Sequence, residues 1–262
     1  MDLHPDDPAF DPEAQRRHDR GRLLRALNLS LVFVLLLAVV YSAQGSFDVR
    51  PYTIVPLSAD GLLGLLTAPL LHGSLEHIAA NASALLILGT LAGAVYPKAT
   101  LRAIPLVWLG AGLGPWLLAE PGTHTLGASG LTHGLMFMVF MLGLLRRDRA
   151  AIAAGMIAFL FYGGMVLTVL PREAGVSWQA HLGGAAAGLL AAFLFRRLDP
   201  ALPRKRYSWE LEEEQDGAER DEADELEPPA PRKVPVLWHR PEPRAEERGV
   251  VLRFPPREPP PQ

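Results

Sequence analysis

The chain of 262 residues contains no cysteine, which excludes disulfide staples, thiolate metal sites and a cysteine nucleophile. Charge is also scarce where a water-soluble chain would carry it. Arg and Lys cluster near residues 16–25, 146–149 and 196–206, and the stretches between are almost free of charge. A soluble helix needs a wet face. Here whole segments are apolar all the way round, which points to lipid, and no acidic residue lies in the middle of any of them.

Six segments are long and apolar enough to cross a hydrocarbon core of about 30 Å, which takes ~20 helical residues. They lie near residues 27–43, 75–95, 101–119, 128–145, 150–170 and 178–196. The expected fold class is therefore all-α, a polytopic membrane protein. A cytoplasmic segment 1–26 precedes a six-helix membrane domain at 27–198, and a tail occupies 199–262. The first span follows a basic stretch, as the core of a signal peptide would. Tyr41-Ser42-Ala43 is a poor small-x-small cleavage site, which favours a retained span.

Lys and Arg in the short connections set the orientation. Arg16, Arg17, Arg20, Arg22 and Arg25 precede the first span, and Lys98 and Arg102 lie between the second and third. Arg146, Arg147 and Arg149 lie between the fourth and fifth, and Arg196, Arg197, Arg204, Lys205 and Arg206 follow the sixth. If every span crosses once, all of these fall on one side, which the positive-inside rule makes cytoplasmic, with both termini inside. Residues 44–74 then form a long outer loop, apolar enough at Gly61–Leu66 to lie in the interface. Residues 210–227 carry eleven acids and one base, and residues 228–262 carry eleven prolines. Neither stretch can bury a core, so a disordered cytoplasmic tail is expected, with a docking segment as the functional alternative.

Polar residues inside spans are the informative ones, because each must find a partner or face a water-filled cavity. His72, His77 and Asn81 stand around the opening of the second span, the last two sharing one helix face at i, i+4. The fourth opens Gly127-Ala128-Ser129-Gly130 and continues to His133; the sixth opens Ala180-His181 and continues to Gly184 and Gly188. Asn81 lies 17 residues before Lys98, Ser129 lies 17 before Arg146, and His181 lies 15 before Arg196. At about 1.5 Å per residue, all three sit roughly 22–26 Å above the inner boundary, several ångströms below the outer surface. A hydroxyl, an imidazole and an amide donor at one depth are the parts of an acyl-transfer site. Gly184 and Gly188 form a Gly-xxx-Gly ridge that lets two helix backbones approach in lipid, and Gly130 offers a facing gap.

Taken singly these signals are weak. A lone Ser in a span usually bonds back to its own helix, and a lone His near a helix end is often interfacial, a reading that applies to His72 and His124. The constellation is much stronger than its parts. His72-x4-His77-x3-Asn81, then Gly127-x-Ser129-Gly130, then Ala180-His181-x2-Gly184-x3-Gly188 resembles the rhomboid family of intramembrane serine proteases in order, spacing and placement on spans two, four and six. The resemblance covers roughly residues 27–198.

The resemblance implies a Ser–His dyad without an acidic third member, Ser129 as nucleophile and His181 as general base. It implies an oxyanion hole made by the side chains of His77 and Asn81 and the backbone N–H of Ser129. His72 would support the outer loop. The substrate would be a transmembrane helix cut near its outer end, at a site open to the outer face. Three departures from the family pattern are visible. Leu63-Gly64 stand where many rhomboids carry Trp-Arg, Gly89 is followed by Gly93 rather than a glutamate, and His133 replaces an aromatic that commonly packs under the catalytic imidazole. His133, one turn after Ser129, is thus a rival base; its alternative role is to stack on or hydrogen-bond His181.

Two other classes of function fit six apolar helices. A catalytically silent relative that binds membrane clients would typically lack the serine or the histidine, and this chain keeps both. A transporter would favour broken helices in paired positions and a polar route through the membrane, whereas the polar groups here gather at one level. No metal or organic cofactor and no nucleic-acid partner is implied; the expected partners are the bilayer and transmembrane protein substrates. No oligomeric state can be read from the residues. High Arg, Ala and Pro content suits a bacterial inner-membrane protein.

Overall fold

The computed structural model describes residues 12–172 and 175–199; the acidic and proline-rich stretches expected to form the tail lie outside the described residues. Among the described residues, six helices are long and apolar enough to cross a membrane. They are α1 (Pro12–Ala43), α2 (Leu75–Val95), α3 (Pro97–Leu118), α4 (Ser129–Arg146), α5 (Arg149–Tyr162, continued as a 3₁₀ stretch Gly163–Val169) and α6 (Trp178–Phe195). The protein is an integral membrane helical bundle.

α1 begins well before the span expected from residue 27, so residues 12–26, expected to precede the bundle, continue the same helix. Its 32 residues rise about 48 Å, more than the ~30 Å core, and the basic N-terminal turns project beyond the lipid.

α4 forms the centre. It packs on α2, α3, α5 and α6, and 61% of it is buried inside the protein, against 11% of the most apolar stretch of α1. The cause is compositional. α1 is apolar on all sides and can face lipid, whereas Ser129, Thr132 and His133 on α4 need protein partners.

Glycine sets how closely α4 and α6 approach. A Cβ at Gly184 would run into the carbonyl oxygen of Gly130, and one at Gly188 into that of Gly134. On the opposite side of α6, a Cβ at Gly183 would meet the carbonyl of Gly110 on α3. α6 is therefore gripped by two helices along glycine seams, where backbone dispersion and Cα–H···O contacts replace side-chain interdigitation.

The 44–74 loop is tied down by backbone pairing. Ile54 and Thr125 exchange hydrogen bonds at 2.9 and 3.0 Å, Leu57 N–H donates to the Trp116 carbonyl (2.9 Å), and Gly127 N–H donates to the Ala68 carbonyl (2.9 Å). Thr53 Oγ1 pairs with His124 Nδ1 at 2.7 Å, so His124 is part of this tie. Leu62, Leu63 and Leu66 stay exposed, a surface suited to the interfacial position read from the sequence.

At the basic end, Asp199 is buried, and its two carboxylate oxygens accept from the N–H groups of Lys98 (3.0 Å) and Ala99 (2.9 Å). It caps the first turn of α3 from across the sequence, as an N-cap carboxylate does locally. Replacing Gly184 by Val is expected to wedge α6 from α4 and destabilise the bundle by about 1–3 kcal/mol, the usual range for overpacking. Thermal unfolding of the purified protein in detergent measures it, and an unchanged melting temperature would contradict the close seam.

Candidate active site

Three helix N-termini meet at the end of the bundle opposite the basic cluster, and each is fixed by a local feature. Ser74 caps α2 by accepting from His77 N–H (3.1 Å), which sets His77 at the third helical position with Asn81 one turn further on. Ser177 caps α6 by accepting from Ala180 N–H (3.4 Å), one residue before His181. Ser129 is the first residue of α4. Gly127, two residues earlier, has φ +114°, a conformation suited to glycine, and a Cβ there would strike the His77 ring. Gly127 thus turns the chain into α4 and lets the His77 imidazole lie against the backbone beside Ser129.

His181 Nε2 lies 2.9 Å from Ser129 Oγ. The tautomer follows from the other ring nitrogen, since His181 Nδ1 is 2.9 Å from the Thr168 carbonyl oxygen, which can only accept. Nδ1 carries the proton, and Nε2 of the neutral ring is left as the acceptor for the Ser129 hydroxyl. His181 is 5% exposed.

His133 stacks on His181 with ring centroids 3.8 Å apart and planes 10° from parallel. Its Nδ1–H donates to the Ser129 carbonyl (2.6 Å), and its Nε2 is 2.8 Å from Thr168 Oγ1. Both its ring nitrogens are engaged, neither with Ser129 Oγ. The Thr168 hydroxyl has one proton and two acceptors in reach, His133 Nε2 and the Met165 carbonyl at 3.0 Å. A neutral His133 with Nδ1–H takes that proton at Nε2.

Thr168 therefore serves both imidazoles, His181 through its carbonyl and His133 through its hydroxyl. The reason is local. The α-helical ladder of α5 gives out at Tyr162, and the 3₁₀ stretch after it leaves the Thr168 carbonyl outside an i→i+4 ladder. Sequence reasoning passed over Thr168, because a threonine in a span ordinarily satisfies itself on its own helix.

Asn81 is 5% exposed, and its Nδ2 is buried without a hydrogen-bond partner among the described residues. A buried amide donor left unpaired is costly, and here it sits one turn beyond His77. His72 lies 1% exposed at the start of the same region, edge-on to His77 with ring centroids 5.1 Å apart. Gln44, also absent from the sequence reading, clamps the His72 backbone from both sides. Its Oε1 accepts from His72 N–H (2.9 Å), and its Nε2 donates to the His72 carbonyl (2.7 Å). Among the described residues, neither ring nitrogen of His72 makes a hydrogen bond of good geometry.

A family model described as Rhomboid domain matches residues 59–198. An uncharacterized protein of Mycobacterium tuberculosis is 40% identical over 149 residues, 54% of this chain and 62% of its own length. An uncharacterized protein of Mycobacterium leprae is 37% identical over 146 residues, covering 53% and 58%. The chain thus spans about three fifths of the length of the relatives it matches.

His72 lies outside the spanning segments, and burial, aided by the neighbouring His77, lowers its pKa from the ordinary 6.5 to about 4. The unfolded chain then takes up a proton on this side chain between pH 6.5 and 4 while the folded one does not, so stability is full above 6.5 and falls as the pH drops through that window. His72→Gln is expected to flatten this slope relative to wild type. Melting temperatures of both proteins at pH 7.5, 6, 5 and 4 provide the check, and parallel curves would contradict it.

Proposed function

The chain belongs to the rhomboid family, and from that premise we propose that it is an intramembrane serine endopeptidase using a Ser129–His181 dyad. The observation that carries this reading is the 2.9 Å approach of Ser129 Oγ to His181 Nε2 with the opposite ring proton engaged on the Thr168 carbonyl.

Ser129 Oγ attacks the carbonyl carbon of a peptide bond while His181 Nε2 takes its proton. The imidazolium that forms keeps its Nδ1–H on the Thr168 carbonyl, a backbone dipole in the orienting position that a carboxylate occupies in a triad. The negative oxygen of the tetrahedral intermediate is stabilised by Asn81 Nδ2, the His77 ring and the N–H of Ser129. Asn81 is supported by an Nδ2 without a partner among the described residues, and the Ser129 N–H by its place in the first turn of α4, where no intrahelical acceptor exists. The positive ends of the α2, α4 and α6 dipoles add to the same field. Collapse of the intermediate breaks the C–N bond, and His181 delivers its proton to the leaving amine. Water then attacks the acyl-serine, His181 taking a proton from it and returning one to Ser129 Oγ, which releases the carboxylic acid.

The substrate in this reading is a transmembrane helix whose outer end unwinds to expose a peptide bond. The site faces the outer side of a bacterial inner membrane and both termini are cytoplasmic, an orientation supported by the clustering of Lys and Arg at the other end of the bundle.

Cleavage of a transmembrane reporter by the purified full chain in liposomes tests the proposal. Wild type is expected to cut, with Ser129→Ala and His181→Ala each down by at least about 10³-fold and Asn81→Ala by about 10²–10³-fold. A folded wild type that cuts no reporter would sink the protease reading in favour of client binding. His133→Tyr, which keeps a stacking ring, is expected to retain measurable cleavage. Complete loss there, with the fold intact, would reopen His133 as the base.

A further inference from the structure

α1 lies along α2 and meets α3 through an edge-on contact of Phe33 with Trp108, ring centroids 5.9 Å apart. Between these helices, opening towards the basic end, lies a groove of about 780 Å³, bounded on the α4 side by Leu131 and Leu135 and lined by neither Ser129 nor His181. The groove falls within the range of roughly 300–1,000 Å³ that suits small-molecule ligands. Its body is apolar, formed by Phe33, Leu85, Ile104, Val107 and Trp108, and its mouth carries His18, Arg22, Arg25 and Lys98. Trp108 lies ten residues from Lys98 along one helix, a rise of about 15 Å, which is half the ~30 Å core. From Lys98 to Trp108 the groove therefore spans the depth of one leaflet, and Leu131 on α4 carries its inner wall further.

Two polar atoms on the lining sharpen the chemistry. Arg22 donates through Nη2 to the Val95 carbonyl (3.1 Å), while its Nε is buried without a hydrogen-bond partner among the described residues. Thr100 Oγ1 is likewise buried without one. Asp199 also lines the groove, but both its oxygens accept from the N–H groups at the start of α3. The mouth thus combines cationic side chains with two donors that lack acceptors among the described residues, set above an apolar slot.

We propose that this groove binds one anionic phospholipid of the leaflet on the basic side. Its phosphate is held by Arg22, Arg25 and Lys98, and one acyl chain lies against Ile104, Val107 and Trp108. Arg is suited to bidentate phosphate contact, and basic pockets between spanning helices are suited to anionic headgroups. A zwitterionic lipid would bring its ammonium towards several bases, and a free phosphate would leave the apolar slot uncovered. The lipid would bridge α1 to α3 where they share no packing seam. This inference does not depend on the protease reading.

Native mass spectrometry of the full chain in detergent, offered equal amounts of phosphatidylglycerol and phosphatidylcholine with matched acyl chains, tests it. Wild type is expected to retain the anionic lipid over the zwitterionic one by about fivefold or more. Arg22→Gln with Lys98→Gln is expected to bring the ratio near one. Arg147→Gln, a base at the same end of the bundle that does not line the groove, is expected to leave it unchanged. Ile104→Trp fills the slot while keeping every base, and is expected to reduce phosphatidylglycerol retention; it carries the test if the double variant does not fold. Equal retention of both lipids by wild type would overturn the proposal, as would a preference that survives the slot-filling variant. Displacement by glycerol phosphate at the same concentration would show an anion site without the lipid, and loss in Arg147→Gln would show diffuse charge rather than a groove.

Discussion

The close approach of α4 and α6 is the constraint on which the rest of the site depends. Ser129 is the first residue of one helix and His181 the fourth of the other, and their side chains are short. A hydroxyl and an imidazole reach 2.9 Å only if the two backbones run nearly in contact. Gly130 and Gly134 facing Gly184 and Gly188 supply that contact. In lipid there is no hydrophobic drive between apolar helices, so small residues that let backbones touch have to hold the pair together. The same residues that hold the bundle together therefore set the Ser129–His181 distance, and the two cannot be varied separately.

Close packing alone would leave both rings of the histidine stack free to turn. Their orientation comes from hydrogen bonds that each remove one degree of freedom. The Thr168 carbonyl selects the His181 tautomer, and the Ser129 carbonyl and Thr168 hydroxyl hold His133 parallel to it. In a medium of low dielectric such bonds are strong and their loss costly. The network joins α4, the end of α5 and α6 into one polar cluster, so the pair of imidazoles works as a unit. Gln44 does the corresponding task at the entry to α2, fixing the backbone of His72 and through it the edge contact with His77.

Much of this was legible in the sequence. The six spans follow from length and apolarity, with ends within a few residues of those observed except at α1, whose helix runs back to Pro12. Apolar content marks only where a helix is in lipid, and the wet, basic turns of α1 carry no such mark. Asn81, Ser129 and His181 stand out in the sequence because a polar group in a span is costly and these three lie at one depth. Thr168 was not legible, since a threonine can satisfy itself locally. Asp199 was not legible either, because its role depends on α6 returning beside the start of α3, a contact across a hundred residues that no local pattern encodes.

The departures from the usual family pattern have a common physical answer in backbone contacts. At Gly64, where many rhomboids carry an arginine, a Cβ would collide with the backbone of Thr53 and Ile54, so the loop folds back on itself at a distance only glycine permits. At Gly89 and Gly93, a Cβ would crowd Ser30 Oγ (2.6 Å) and Ala26 Cβ (3.0 Å), so α1 lies directly on α2. Side-chain anchors are exchanged for close approach, strictly so at Gly64, where backbone atoms stand in the way, and less strictly at Gly89 and Gly93, where side-chain atoms do. His133 follows a different logic. A phenolic ring could stack on His181, but only a second imidazole also donates to the Ser129 carbonyl and accepts from Thr168. The substitution brings a hydrogen-bonding ring to a place where flat shape alone would serve, and so couples the His181 ring to the Ser129 backbone.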